Sequence, residues 1–143
     1  MKIVPAVPKD QADIQTLLCD CELPFDDLSP EHLTHFFVVK DQGLIVGSVG
    51  LEVCDQFGLL RSLALTEALR GRGFGLQLVE QIEAYACSQK ITAIYLLTTT
   101  ADRFFAHLGY QEILRGSAPI PLQKTTEFQS ICPASAVCMC KDL

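Results

Sequence analysis

The sequence predicts an α/β (α+β) domain of three layers, a mixed sheet carrying helices on both faces. Three observations predict it. The apolar pattern gives the order β-α-β-β-β-α-β-α-β-β. Three of those strands follow one another through turns too short for anything but an antiparallel meander. A glycine-bearing turn then opens an amphipathic helix that leads into a buried-type strand. At 143 residues and 15.7 kDa the chain suits a single domain over 1–143.

Lys2 to Val7 reads as the first strand, ended by Pro8. Asp10 to Cys21 reads as a helix, with Ile14, Leu17 and Leu18 at helical spacing and acidic residues near its start. Pro24, Asp26, Asp27 and Pro30 mark a loop, with a helical turn after Ser29. Phe36 to Lys40, a turn at Asp41-Gln42-Gly43, and Leu44 to Val53 make a hairpin. Asp55 to Gly58 is turn chemistry before a third meander strand, Leu59 to Leu65. Beyond the glycines, Leu78, Val79, Ile82, Tyr85 and Ala86 share one helical face. Ile94 to Thr98 is the buried-type strand, and Asp102 to Leu108 a short helix capped by Gly109. Tyr110 to Leu114 and Val137 to Lys141 are the last strands, joined by a proline-bearing loop.

Composition narrows the function. Net charge is −6, which speaks against nucleic-acid or anionic-membrane binding. No apolar run approaches the roughly 18–20 residues of a membrane span. The start, MKIVPAVPKDQADIQ, lacks a signal-peptide core, so a cytoplasmic location is expected. Seven cysteines then read as reduced thiols rather than a disulfide framework. The charge is unevenly placed: Asp10 to Glu31 holds seven acidic residues, with no Lys or Arg between Lys9 and Lys40. Arg61, Arg70, Arg72 and Arg103 fall in the middle of the chain.

The strongest chemical signal is Arg70-Gly71-Arg72-Gly73-Phe74-Gly75, set between a strand and an amphipathic helix. Glycine lets the backbone turn tightly and approach a ligand without a Cβ in the way. The helix start offers unpaired N–H groups and a positive dipole end, and the two arginines add charge-assisted bonds. A pyrophosphate suits such a site. A Walker loop would need Gly-Lys-Ser/Thr, which is absent. The Rossmann fingerprint is missed as well, because the third glycine arrives one residue early.

The spacing Arg70-x-x-Gly73-x-Gly75 resembles the acetyl-coenzyme A signature R/Q-x-x-G-x-G/A of the GNAT acyltransferases. The preceding strand Leu60-Arg-Ser-Leu-Ala-Leu65 and the segment Ala101-Asp-Arg-Phe-Phe-Ala-His-Leu-Gly-Tyr110 resemble the same family, so the resemblance covers nearly the whole chain. It implies a GNAT-type sheet opened between strands 4 and 5, with acetyl-CoA as acyl donor and no metal. By that likeness the backbone of Leu63, Ala64 and Leu65 pairs with pantetheine, and an N–H of this strand, assigned to Leu65, faces the thioester oxygen. The pyrophosphate takes N–H groups from Arg70 to Gly75, and Arg103 and Phe104 line the far side.

Amine acetylation by direct attack needs no enzyme nucleophile, only loss of the amine proton and an acid for the departing thiolate. Many members of the family carry a Tyr as that acid where this chain has Phe105. The glutamate some relatives use as base is replaced by Leu59 and Leu60. The catalytic acid and base are therefore not assigned from the sequence. Arg61 interrupts an apolar strand, which points either to snorkelling or to an anionic group of the acceptor. Strand alternation puts Arg61 and Leu63 on one face, Ser62 and Ala64 on the other. His32, His35 and His107 are scattered and read as core or surface residues.

Tyr95-Leu-Leu-Thr-Thr-Thr100 and Glu127-Phe-x-x-x-Cys132-Pro-x-Ser135-Ala-x-Cys138-Met139 further resemble the GNAT subfamily of bacterial arsenic-resistance operons. That likeness implies a small amino-acid-like acceptor met by Arg61, Thr98, Thr99, Glu127 and Ser135, with a homodimer as an allowed assembly. Two other readings stay open: a non-catalytic acyl-CoA sensor, and a thiol-based metalloid binder resting on Cys19, Cys21, Cys138 and Cys140.

Overall fold

The structure, a computed structural model, describes residues 1–131 and 133–143. Its strands are β1 Lys2–Pro5, β2 Phe36–Asp41, β3 Leu44–Cys54, β4 Phe57–Leu65, β5 Ala93–Thr98, β6 Gln111–Ile113 and β7 Val137–Asp142. Its α-helices are α1 Gln11–Asp20, α2 Pro30–Leu33, α3 Phe74–Ser88, α4 Asp102–His107 and α5 Ile120–Gln123. The seven strands form one mixed sheet in the order β1-β2-β3-β4-β5-β7-β6, parallel at β4–β5, with helices on both faces. This is the architecture the sequence predicts. No helix among the described residues is long and apolar enough to cross a membrane.

The chain divides into two compact units, Met1–Glu52 with Leu60–Tyr85, and Val53–Leu59 with Ala86–Leu143. In the first, the acidic entry to α1 is built by Asp10, which is buried. Its Oδ2 accepts the Val7 N–H at 2.9 Å, and its Oδ1 lies 3.3 Å from Lys40 Nζ. Ser29 starts α2 with Pro30 at the first helical position, where a missing N–H costs nothing. Gln42 and Gly43 are both left-handed, at φ +52° and +82°, which is the two-residue turn that closes the β2–β3 hairpin. Ile14, Leu17, Leu18, Leu28, Leu33, Phe36, Val38 and Ala64 form the unit's core.

Gly50, paired with Phe36, is required by space. A Cβ there would stand 2.2 Å from the Phe36 ring, which is fully buried and cannot swing aside. Gly50→Ala should therefore cost about 1–3 kcal/mol in urea unfolding, the usual cost of overpacking. Gly116→Ala, where a Cβ meets nothing within 4 Å, should be near neutral. Equal effects of the two substitutions would contradict the packing argument.

In the second unit, β4 begins at Phe57 rather than Leu59. Asp55 adopts φ +58° and confines the turn to two residues, so Gly58 lies in the strand. The parallel ladder spans three pairs, from Phe57↔Ala93 to Leu59↔Tyr95. Helix α4 ends in a Schellman cap: Gly109 has φ +96°, its N–H bonds Ala106 O, and the Tyr110 N–H bonds Phe105 O. The expected proline-bearing loop holds more structure than its sequence suggests. It contains α5 and a π-helical turn, Glu127–Ile131, whose Phe128 packs with Leu59, Ala118, Leu122 and Cys138.

One residue of β4 overturns a detail of the sequence reading. Ser62 is left-handed, φ +59°, in the middle of the strand. A non-glycine residue in that conformation marks a bulge, which bends the strand and breaks strict alternation of faces. Accordingly Arg61 Nε donates to Ser62 Oγ at 3.1 Å, although alternation would have sent the two side chains to opposite faces.

Candidate active site

In the first unit, β4 runs through Leu63, Ala64 and Leu65 into the glycine loop. Ala64 belongs to the core, while Leu63 and Leu65 are half-buried. Gly71 and Gly73 are left-handed, at φ +75° and +84°, and a Cβ on either would meet nothing within 4 Å. The backbone conformation favours glycine at both positions, and the open space above them leaves room for a close-lying group. Helix α3 starts at Phe74, where the Gln77 N–H reaches Gly73 O, so Gly75 is already helical. Leu78, Val79 and Ile82 are buried and hold this helix in place. Its first-turn N–H groups therefore emerge directly beside the two glycines, a cradle that fits an anion.

The arginines of this loop are exposed but not idle. Arg70 Nε donates to Leu65 O at 3.3 Å, and its Nη2 lies 3.6 Å from Cys21 Sγ. The Cys21 thiol itself approaches Leu65 O at 3.6 Å. Arg72 lies 5.8 Å over the Phe74 ring.

Arg61 is where the structure departs most from expectation. Its side chain is fully buried, and it forms a bidentate pair with Asp27, Nη1 to Oδ2 at 2.5 Å and Nη2 to Oδ1 at 2.7 Å. Nη1 also donates to Glu52 Oε1 at 3.2 Å. The guanidinium is thus committed to two carboxylates of the protein, and the expectation that it holds an anionic group of the acceptor is withdrawn. Glu52 Oε1 further meets His32 Nε2 at 2.8 Å, and His32 Nδ1 accepts the Ser29 N–H at 3.1 Å. Ligand atoms of Asp27, His32 and Glu52 lie within 4.8 Å of one another, a spacing that could hold a metal ion. Asp27 and Glu52 already hold a cation between them, the Arg61 guanidinium. Sequence reasoning missed the other three, and Arg61 was the signal: an arginine in an apolar strand requires a buried counter-charge.

Burial alone would raise the Asp27 carboxyl, but the hydrogen bonds and charge of Arg61, with His32 beside it, hold it below the ordinary 3.8. A carboxyl with a lowered folded pKa contributes stability that is present above its unfolded pKa and is lost as pH falls through the folded one. The gap in Tm between the wild type and Asp27→Asn should therefore narrow as pH drops from about 5 to about 2. A constant gap would contradict the assignment.

The second unit holds the remaining expected residues. Thr98 Oγ1 accepts the Ala101 N–H at 2.9 Å, so Thr98 and not Thr100 makes the turn into α4. Thr99, Arg103 and Ser135 are exposed, and Phe104 stands at the surface edge-on to Phe105. Phe105 is buried against Tyr110, which fills the core as its sequence context predicts. Glu127 is buried, and the segment it begins is strapped by Arg115, whose Nη2 donates to Phe128 O at 2.7 Å and whose Nη1 donates to Pro133 O at 2.8 Å. No disulfide joins the described cysteines. Burial pushes the Cys138 thiol up to about 11 and raises Cys140 as well, so both stay protonated at neutral pH, unlike a metalloid-ready thiolate. Cys132 lies outside the described residues.

A family model described as "Acetyltransferase (GNAT) domain" matches residues 32–112, more than half of the chain. The chain belongs to the GNAT acetyltransferase family. An uncharacterized N-acetyltransferase of Chlorobaculum tepidum is 31% identical over 109 residues, covering 76% of this chain and 68% of its own. Mouse N-alpha-acetyltransferase 80 is 42% identical over 53 residues, 37% of this chain and 17% of its own. Among solved structures, a Mycobacterium tuberculosis protein in complex with CoA and NLQ has a TM-score of 0.80 at 20% identity, covering 100% of this chain and 99% of its own. Neisseria gonorrhoeae N-acetylglutamate synthase, complexed with coenzyme A and N-acetyl-glutamate, has a TM-score of 0.83 at 20% identity, covering 99% of this chain and 35% of its own. This GNAT chain thus shares the fold of both.

Proposed function

We propose that this GNAT acetyltransferase moves the acetyl group of acetyl-CoA to the amine of a small amino-acid-like acceptor, and that residues 1–143 form one catalytic domain. The observation that carries the reading is the loop from bulged β4 into α3. Gly71 and Gly73 are left-handed with open space above them, and α3 with its unpaired first-turn N–H groups begins directly after them at Phe74. Such a loop suits the pyrophosphate of a coenzyme. The backbone of Leu63, Ala64 and Leu65 is the proposed pantetheine strand, since the parallel ladder stops at Leu59↔Tyr95 before reaching them. Leu65 remains the proposed oxyanion donor, with Arg70 to Gly75 on the phosphates and Arg103 and Phe104 as further coenzyme contacts.

The amino-acid acceptor is supported by the N-acetylglutamate synthase neighbour, and Thr98, Thr99, Glu127 and Ser135 remain its proposed contacts. Arsenical or xenobiotic amino-acid analogues are the finer acceptor class proposed, in a cytoplasmic setting. With Phe105 in the core, solvent is the proposed acid for the coenzyme thiolate.

The test is acetyl-CoA with a panel of free amino acids and their phosphinic and arsenic analogues, read by thiol release. Saturable release with one acceptor is expected. Tight acetyl-CoA binding with no release across the panel would favour the sensor reading instead.

A further inference from the structure

Three successive residues of β3 meet the part of β4 on which the coenzyme is proposed to lie. The Thr66 N–H donates to Val46 O at 2.9 Å, a Cβ on Gly47 would stand 3.0 Å from Leu65 Cδ2, and Ser48 Oγ donates to Ser62 O at 2.7 Å. Val46 is itself an extra residue of β3, since Gly47 pairs with Val39 while Ile45 pairs with Lys40. Ser48 is fully buried in an otherwise apolar stretch, where a hydroxyl is costly unless it is bonded. Resting on the proposed acetyl transfer, we infer that Ser48 is a positioning residue for coenzyme binding: its hydroxyl fixes the Ser62–Leu63 peptide plane so that the Leu63 N–H faces pantetheine.

The bond matters because of where it falls. Ser62 is left-handed at φ +59°, a conformation that is unfavourable for a residue with a Cβ and that turns the next peptide out of the regular ladder. Ser62 O belongs to the same peptide as the Leu63 N–H. That peptide is planar and trans, so its C=O and N–H point in opposite directions. Holding the oxygen on Ser48 therefore aims the Leu63 N–H away from the Ser48 hydroxyl. Leu63 is the first residue of the proposed pantetheine strand.

Arg61 Nε makes a different bond, to Ser62 Oγ at 3.1 Å. It grips the side chain of Ser62, whereas Ser48 grips the peptide itself. Beyond the bend, Val46 and Gly47 hold the other end of the segment at Thr66 and Leu65. Leu63 and Ala64 thus lie between two attachments to β3. Loss of the Ser48 bond should let the first peptide of this span rotate without detaching the strand.

The test is CoA binding followed by calorimetry and by amide NMR, at a temperature where every variant is folded. Saturating CoA should shift the Leu63 amide resonance of the wild type. Ser48→Ala should weaken CoA binding about 2–10-fold, the worth of roughly one hydrogen bond, and shrink that shift. Ser48→Thr keeps the hydroxyl and should recover part of the affinity. Gly50→Ala, which strains the same strand through Phe36, should lower Tm and leave CoA affinity unchanged. Wild-type affinity in Ser48→Ala, or an equal loss in Ser48→Ala and Gly50→Ala, would overturn the inference while the coenzyme site stands. Should Ser48→Ala not fold, Ser48→Cys, close in shape but a weaker donor, replaces it, and wild-type affinity there would overturn the inference in the same way. A wild type that binds CoA without a shift at Leu63 would remove the pantetheine strand on which the inference rests, and one that binds no CoA would remove the proposed function itself.

Discussion

Arg61→Ala should destabilise the protein by about 3–5 kcal/mol, the usual cost of leaving buried charge without its partner. The substitution takes the guanidinium away from Asp27 and Glu52, whose side chains are only 9% and 13% exposed. Most of the loss should come from the carboxylates left behind rather than from the attraction removed. Combining Arg61→Ala with Asp27→Asn should therefore cost less than the sum of the single changes, with a coupling of about 0.5–3 kcal/mol in urea unfolding. Additive losses would show that the pair is not coupled. Acceptor kinetics alone would be a misleading probe here, because a variant that partly unfolds loses activity for any acceptor.

Gly73→Glu should abolish acetyl-CoA binding. Its backbone sits at φ +84°, so any side chain costs about 1–2 kcal/mol for the left-handed conformation. Beyond that, the new carboxylate would project into the open space where the proposed pyrophosphate lies and would repel it. A control within the chain separates strain from ligand exclusion. Gly43 has nearly the same φ, +82°, and equally open surroundings, but it lies in the β2–β3 turn. Gly73→Ala and Gly43→Ala should lower Tm alike, and only the former should weaken acetyl-CoA binding by calorimetry. Unchanged affinity in Gly73→Glu would remove the loop from the coenzyme site.

The elements that could be read from the sequence are those with local causes. Ile14, Leu17 and Leu18 mark α1 because their spacing matches the helical repeat. Gly109 ends α4 because the Schellman cap needs a residue without a Cβ. Gly71 and Gly73 stand out for the same reason, and both are left-handed. The small helix and π-turn between β6 and β7 escaped notice because they are stabilised by burial of Leu122 and Phe128 and by the Arg115 strap, not by periodicity.

The candidate site shows the same division. Arg61 was visible as an oddity, an always-charged residue in an apolar strand, but its sequence neighbours could not say what satisfies it. Asp27 and Glu52 lie 34 and 9 residues away. His32 read as a core or surface residue, and only the fold brings its two nitrogens to Ser29 and Glu52.

By itself, the sequence determined the strand and helix order, the meander, and the glycine loop that leads to the family, because each rests on contacts or conformations within a few residues. Only the tertiary structure decided where Arg61 spends its charge, on Asp27 and Glu52. The bulge at Ser62 turns the Arg61 side chain toward that of its neighbour. Burial then makes the charge so costly that the fold must bring Asp27 and Glu52 to it.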